Sequence, residues 1–229
     1  MTVQLERPTR SSIPTPSTPA PSTSSPALKV TGLTILLFGG FLPLLDFFIV
    51  NVALPTMNVT LHASGPMLQL VVAGYGVAYA LMLVVGGRLG DAIGRRRMFM
   101  IGVAGFTLSS LLCGLAPSIG ALVALRIIQG LSAAMSQPQV LATIHATLDG
   151  HRRSRAIALY ASMGGVGATV GQLFGGLLVQ ANLWGLSWRP IFLVNVPVGL
   201  AVLALSRRFL PATRSSEPAG VDLAGTALL

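Results

Sequence analysis

Residues 87–97 read GRLGDAIGRRR, a charged and glycine-rich stretch that separates two long apolar segments. It contains five charged residues, although only 9% of the chain is charged. A turn this polar is unstable in the hydrocarbon core of a bilayer, where polar groups find no water. Both apolar segments therefore end here, at the same water-facing surface of a membrane. The sequence predicts two membrane helices joined by a loop at this surface, a helix-loop-helix.

The composition of the chain indicates an integral membrane protein. Its 229 residues are 52% hydrophobic, with a mean hydropathy of +0.75, which is more apolar than a soluble core of this size requires. The net charge of +9 comes from short basic clusters between apolar segments. Because these clusters do not form one solvated basic face, we expect no nucleic-acid partner. Cys113 is the only cysteine, which excludes an internal disulfide.

The sequence lacks the patterns that would indicate an enzyme. None of its histidines has the spacing of a metal site, and no phosphate-binding loop or nucleophile motif occurs. We therefore expect no cofactor, no metal and no catalytic activity.

Six apolar segments are long enough to cross a bilayer as helices, which takes about 20 residues each. They lie at residues 30–54, 67–87, 98–116, 119–141, 155–180 and 190–209. A six-helix transmembrane domain is then expected over residues 30–210. Residues 1–29 are rich in proline, serine and threonine, and we expect a disordered tail there. Residues 211–229 are expected to hold a cytoplasmic linker and the start of a seventh helix.

The basic residues predict how these helices are oriented. Of the 15 lysine and arginine residues, all except Arg126 and Arg189 fall on one side of the predicted membrane. Cytoplasmic loops are enriched in basic residues, so this side, with the N-terminal tail, is predicted to be cytoplasmic. We expect the protein to lie among the lipids of a bacterial plasma membrane.

Two charged residues lie within predicted helices, Asp46 in the first and Arg126 in the fourth. A charge at the middle of a bilayer costs about 2.5–3.5 kcal/mol on insertion scales, so each needs a partner or a water-filled cavity. In the functional interpretation, Asp46 takes up and releases a proton, and Arg126 responds to it or touches substrate. In the structural interpretation, the two residues form a buried ion pair. The residues alone leave both interpretations open.

Other polar and aromatic side chains within the helices are candidates for lining a substrate cavity. They are Asn51, Tyr75, Tyr79, Gln129, Gln137 and Gln172. In the fourth helix, Gln137 shares a face with Arg126, and Gln129 lies at the edge of that face. Helix packing is the alternative role for the aromatic positions.

The fifth helix has glycines at steps of three and four residues. The predicted packing positions are Gly167, Gly171, Gly175 and Gly176. Because glycine has no side chain, this face predicts close contact with a neighbouring helix.

Four motifs, in the order of the chain, resemble those of the major facilitator superfamily. Residues 87–97 resemble the family's signature between its second and third helices, G-x-L-x-D-x-x-G-R-R/K-R/K. Its positions are held here by Gly87, Asp91, Gly94, Arg95 and Arg96. Residues 45–55 (LDFFIVNVALP) are similar to the first-helix signature of the fourteen-helix branch of drug:proton antiporters. Residues 126–130 (RIIQG) resemble a fourth-helix motif, and residues 188–199 (WRPIFLVNVPVG) resemble a motif at the start of the sixth helix.

The resemblance implies a fold and a mechanism. Family members have two six-helix halves that rock about a central substrate, and each half consists of two inverted three-helix repeats. The chain then resembles an all-α N-terminal half with the start of a seventh helix. By similarity, Asp46 takes up a proton and Arg126 responds to its neutralisation. Asp91 and Arg95 would belong to a cytoplasmic latch between the halves.

The function that this resemblance implies is proton-coupled efflux of small drug-like or amphipathic molecules. One half lacks the second side of the cavity, so we expect no transport by this chain without a C-terminal half or a second copy. Gln172 stands where family antiporters usually have proline, which leaves open a major facilitator importer of a small metabolite. A non-transporting scaffold or half-transporter partner is the remaining alternative.

Overall fold

The computed structural model of the protein describes residues 28–212, which form six helices long and apolar enough to cross a membrane. They are α1 (Val30–Leu61), α2 (Gly65–Ile93), α3 (Arg95–Gly114), α4 (Ile119–Thr147), α5 (Gly150–Ala181), and a sixth crossing made of α6 (Pro190–Leu193) and α7 (Asn195–Phe209). The predicted all-α membrane fold is therefore confirmed. The predicted tail before residue 28 and the predicted seventh helix lie outside the described residues.

The charged stretch at residues 87–97 is almost entirely helical, so the connection between the two helices is shorter than the sequence predicted. α2 continues to Ile93 and α3 begins at Arg95, so only Gly94 separates them. Gly94 has φ +101°, a backbone conformation that residues with side chains rarely adopt. The helices continue past the apolar segments because a helix satisfies its main-chain hydrogen bonds in any solvent. The length of an apolar segment predicts where a helix crosses the membrane, but it does not predict the residue at which the helix ends.

Clusters of buried apolar side chains hold the helices together at both ends and at the centre. One end cluster contains Leu28 and Leu210, which brings the start of α1 beside the end of α7. The opposite cluster contains Met57 and Trp188, from the end of α1 and the segment before α6. A smaller central cluster surrounds Phe106 of α3. Successive crossings therefore alternate in direction.

Glycines allow two pairs of helices to pack closely. Gly171 and Gly175 of α5 are buried against α1, where a methyl group on Gly175 would lie 2.8 Å from the Ile49 side chain. A methyl group on Gly86 of α2 would lie 2.6 Å from the main-chain oxygen of Ala134 in α4. The remaining predicted packing glycines, Gly167 and Gly176, also face α1. These contacts position α1 and α4, which carry the two intramembrane charges.

Candidate functional site

Asp46 and Arg126 form an ion pair that connects α1 to α4. Both side chains are fully buried, and Nη1 of Arg126 donates to Oδ2 of Asp46. The two residues lie 80 positions apart in the chain, so the pair exists only because the helices pack together. The ion pair was one of the two interpretations of the sequence, and its functional role stays a prediction.

Two amide groups complete the surroundings of the Asp46 carboxylate. Nδ2 of Asn195 donates to Oδ1 at 2.8 Å, and Nε2 of Gln129 donates to the same oxygen at 3.1 Å. Every hydrogen-bond partner of the carboxylate within the described residues is thus a donor. This pattern fits an ionised carboxylate, which can only accept hydrogen bonds.

Gln129 extends the cluster from α4 to α3. Its Oε1 accepts a hydrogen bond from Nη1 of Arg126 at 2.7 Å, and its Nε2 also donates to Oγ of Ser110 at 2.7 Å. The two ends of one amide group therefore bind partners from three helices. A change in the charge of Asp46 must alter the bonds of Gln129 as well.

Aromatic rings and a main-chain carbonyl surround the Arg126 guanidinium. Its carbon Cζ lies 4.2 Å from the centre of the Tyr75 ring and 5.7 Å from that of the Phe192 ring. Nε donates to the carbonyl oxygen of Val71 at 3.1 Å, whereas the buried Nη2 has no hydrogen-bond partner among the described residues. Asp46 is thus the only formal anion that compensates Arg126 in the described part of the chain.

Tyr75 also lines an aromatic cleft between α1 and α2. The cleft has a volume of about 340 Å³ and is lined by Pro43, Leu44, Phe47, Phe48, Tyr75, Gly76 and Tyr79. The rings of Tyr75 and Tyr79 are nearly parallel, at 10°, with their centres 6.2 Å apart. The Tyr75 hydroxyl donates to the carbonyl oxygen of Pro43 at 3.1 Å, which fixes the ring against α1. One side chain thus contacts both the buried cation and a space suited to an apolar, aromatic ligand.

The predicted cavity residues do not all reach this site. Gln137 is buried on α4 and its side chain interacts with that of Tyr79 at the edge of the cleft, although its Oε1 has no hydrogen-bond partner among the residues described. Asn51 is exposed, and its amide donates to the Phe47 carbonyl of its own helix at 3.0 Å. Gln172 is exposed and lines a separate depression beside Gln180. The predicted residues at the site are Tyr75, Tyr79 and Gln129, with Gln137 beside Tyr79.

The basic stretch at residues 87–97 makes its contacts at the end of the helix bundle. Nη1 of Arg95 donates to the carbonyl oxygen of Ala142 in α4 at 3.1 Å, and Nη2 lies 3.4 Å from Oδ1 of Asp91. Nη1 of Arg96 donates to the carbonyl oxygen of Leu210, directly after α7, at 3.1 Å. These arginines therefore tie the start of α3 to the ends of α4 and α7. A latch to a second half stays a prediction.

The fold and its motifs match a known family. The family model of the Major Facilitator Superfamily matches residues 36–228. The chain belongs to the Major Facilitator Superfamily. A crystal structure of the peptide transporter POT with sulfate has a TM-score of 0.70 at 18% identity, covering 90% of this chain and 45% of that one. The inward open xylose transporter XylE from E. coli has a TM-score of 0.63 at 18% identity, covering 79% and 48%. At this identity, both likenesses show the fold alone.

Closer sequence relatives occur in actinobacteria. The chain is 37% identical over 203 residues to a probable actinorhodin transporter of Streptomyces coelicolor, covering 89% of this chain and 35% of the relative. It is 38% identical over 186 residues to the tetracenomycin C resistance and export protein of Streptomyces glaucescens, covering 81% and 34%. It is 40% identical over 191 residues to the multidrug resistance protein Stp of Mycobacterium tuberculosis, covering 83% and 35%. The chain thus spans about a third of the length of these superfamily relatives.

Hydrogen bonds join Asp46, Ser110, Arg126, Gln129 and Asn195 into one polar cluster. Two members of this polar cluster were not predicted as site residues. Asn195 lies in the motif at residues 188–199, where it served only to mark the family resemblance, and Ser110 lies within an apolar segment. Each is a polar side chain that would be costly to bury without a partner. Asp46 became a candidate because a charge in the membrane needs a partner. The same argument, applied to polar side chains, would have made Ser110 and Asn195 candidates as well.

Proposed function

We propose that these six helices form the N-terminal half of a proton-coupled exporter of small amphipathic molecules, in a bacterial plasma membrane. The observation that carries the proposal is the fully buried ion pair of Asp46 and Arg126, which Tyr75 connects to an aromatic cleft. The names of the relatives, which refer to antibiotic and multidrug export and resistance, support export over import or a scaffold role.

In this proposal, protonation of Asp46 is the step that changes the site. A neutral carboxyl group no longer compensates the charge of Arg126, and an uncompensated buried charge costs about 3–5 kcal/mol. The added O–H is itself a donor, and it faces donors from Arg126, Gln129 and Asn195. The three donors offer the new proton no acceptor, and the hydrogen bond from Arg126 loses its ionic partner, so protonation favours a rearrangement of the cluster.

Tyr75 couples this rearrangement to the substrate. Its ring packs against the Arg126 guanidinium and lines the cleft, so a displaced Arg126 changes the cleft wall. A ligand that packs on the same ring changes the surroundings of Arg126 in return. Because such coupling is reciprocal, substrate binding and proton binding each alter the affinity for the other.

The second side of the cavity comes from another helical unit, in a longer chain or in a separate polypeptide. Every described lysine and arginine except Arg126 and Arg189 lies at the end of the bundle where α1 begins, and we assign this end to the cytoplasm. Transport proceeds as the two units rock about the bound substrate. The six helices alone have one wall of the cavity and do not transport.

The test is Asp46→Asn in a transporter of full family length that contains residues 1–229. Asparagine keeps the size of the side chain but cannot take up a proton, so we expect dye efflux driven by a pH gradient in proteoliposomes to fall at least about tenfold. The matched control is Asp149→Asn, which changes an exposed carboxylate that pairs with Arg153 at 2.7 Å. This variant is expected to retain efflux.

Undiminished dye and proton exchange by a correctly inserted Asp46→Asn protein would reject the proton role. Dye accumulation in cells tests the claim that the six helices alone do not transport. Cells that express residues 1–229 without a second unit are expected to accumulate as much dye as cells with an empty vector. Lower accumulation in those cells would contradict that claim.

A further inference from the structure

The hydroxyl group of Tyr79 is a polar group that the proposed export mechanism does not use. Tyr79 is the central residue of α2 (Gly65–Ile93), and it lines the aromatic cleft together with Tyr75. At 1.5 Å per residue, about 21 Å of helix extends on either side of it. Because the hydrocarbon core of a bilayer is about 30 Å thick, this hydroxyl group lies near its middle, where water is scarce.

Tyr75 and Tyr79 carry the two hydroxyl groups of the cleft, and their hydrogen bonds differ. The Tyr75 hydroxyl already donates to the carbonyl oxygen of Pro43 at 3.1 Å. The Tyr79 side chain interacts with that of Gln137 on α4, whose Oε1 has no hydrogen-bond partner among the described residues. The amide nitrogen of Gln137, which is a donor, therefore faces the Tyr79 oxygen. The proton of the Tyr79 hydroxyl is left without an acceptor within residues 28–212.

The space beside Tyr79 suits a small ligand that brings this acceptor. Burying a hydroxyl group without its hydrogen bond is unfavourable in an apolar environment, and the other side chains that line the cleft are apolar. The cleft has a volume of about 340 Å³, within the range of about 300–1,000 Å³ that small-molecule sites have. A ligand in this space can supply the acceptor that the described protein lacks.

The rings of the cleft favour a planar aromatic ligand. The rings of Tyr75 and Tyr79 lie within 10° of parallel, and the Phe47 ring has its centre 5.9 Å from that of Tyr75. Aromatic groups pack on such rings in offset-stacked or edge-to-face arrangements. A phenol hydroxyl lies at the edge of its ring, and a carbonyl oxygen on an aromatic frame lies at the edge of that frame. The two groups can therefore meet while the ligand packs against the rings.

We propose that Tyr79 determines specificity in the cleft by donating a hydrogen bond to a carbonyl oxygen of an aromatic substrate. The substrates are then planar aromatic molecules that carry a carbonyl acceptor. Gln137 binds the oxygen of the hydroxyl group and leaves its proton for the substrate. This inference rests on the proposed export function, because it takes the cleft as part of the substrate cavity, but it does not involve protonation of Asp46.

The experiment measures equilibrium binding of three ligands to a purified transporter of full family length that contains residues 1–229, without a pH gradient. The ligands share one tricyclic frame. Fluorene has no hydrogen-bonding group, fluorenone has a carbonyl acceptor, and carbazole has an N–H donor. In Tyr79→Phe, the ratio of fluorenone affinity to fluorene affinity should fall about fivefold, the value of one neutral hydrogen bond. The ratio of carbazole affinity to fluorene affinity should change less than about twofold.

The matched control is Tyr160→Phe, which removes the same group from α5. Tyr160 is near enough to Tyr79 to interact with it electrostatically, but it does not line the cleft. In this variant the ratio of fluorenone affinity to fluorene affinity is expected to stay within about twofold of the parent protein. Because each ratio compares two ligands on one protein, and the ratios are then compared between proteins, partition of the ligands into detergent cancels.

Four results would overturn the inference. One is an unchanged ratio in Tyr79→Phe, which would follow if the second unit supplied the acceptor. The others are an equal loss in Tyr160→Phe, a loss of carbazole binding in place of fluorenone binding, and no measurable binding of fluorenone to the parent protein.

The efflux assay of Asp46→Asn separates this inference from the proposed function. A fluorenone preference that depends on Tyr79, together with undiminished efflux by Asp46→Asn, would reject the proton role and keep the specificity role. Loss of efflux in Asp46→Asn, together with an unchanged ratio in Tyr79→Phe, would do the opposite.

Discussion

Replacing Arg126 with glutamine should destabilise the folded chain by about 3–4 kcal/mol, because it leaves a buried carboxylate without a cation. Removing one partner of a buried pair typically costs about 3–5 kcal/mol. In this variant Asp46 keeps the amide donors of Asn195 and Gln129, at 2.8 and 3.1 Å. The cost also has an upper limit, since neutralising an ordinary aspartic acid with a pKa of about 3.9 at pH 7 takes about 4 kcal/mol. The folded variant takes up a proton before the cost exceeds that limit.

The complementary variant Asp46→Asn has no such limit, because arginine cannot lose its proton. Arg126 then keeps the Val71 carbonyl, the Gln129 amide oxygen and the Tyr75 ring. We expect a loss of about 3–5 kcal/mol. The double variant Asp46→Asn with Arg126→Gln leaves no buried charge, so it should be more stable than either single variant, and within about 2 kcal/mol of the parent chain.

The assay is unfolding of the detergent-solubilised chain by a denaturing detergent, followed by helix content, with all four proteins in one double-mutant cycle. A mutually compensating pair would be refuted if the losses in unfolding free energy simply added in the double variant. It would also be refuted if the single variants were as stable as the parent chain.

Tyr75→Phe removes a hydrogen bond to α1 but keeps the ring over Arg126. This variant should lower the free energy of unfolding by about 1 kcal/mol and leave substrate-dependent proton uptake in proteoliposomes intact. Tyr75→Leu removes the ring and should reduce that uptake about tenfold. Equal uptake by the two variants would contradict coupling through the ring. Gly171→Leu should destabilise the chain by about 1–3 kcal/mol in the unfolding assay, since even a methyl group there would lie 3.1 Å from a main-chain oxygen of α1. Gly165→Ala, whose methyl group meets nothing within 4 Å, is the control, and a similar loss in both variants would count against α1–α5 packing at Gly171.

The six crossings could be predicted from the sequence because the bilayer imposes a minimum apolar length on each of them. The ends of the helices could not. Residues 87–97 look like a turn by charge, yet helix continues through them except at Gly94. The sequence shows where polar residues begin, but a helix that extends into water is also made of polar residues. A change to polar residues therefore does not mark the end of the helix. The break at Gly94, with its φ of +101°, and the break between α6 and α7 were therefore not revealed by composition.

The candidate site was predictable in part for a similar reason. A membrane makes an unpaired charge costly, so Asp46 and Arg126 could be expected to have partners. The identity of every partner could not be predicted, because Asn195 lies 149 positions from Asp46 in the chain. Helical periodicity gives the faces of one helix and says nothing about which neighbour each face meets.

The polar cluster connects five of the six crossings, so in the proposed mechanism a proton taken up by Asp46 would act on most of the unit. Asp46 lies on α1, Ser110 on α3, Arg126 on α4 and Asn195 on α7, and the Val71 carbonyl brings in α2. Neutralising the carboxylate alters bonds to several of these helices at once, so rotation of one side chain cannot restore them all. α5 packs against α1 through glycines and can follow it without breaking a polar contact with this cluster. A rearrangement of this kind shifts helices against one another, which is the motion that rocking about a substrate requires.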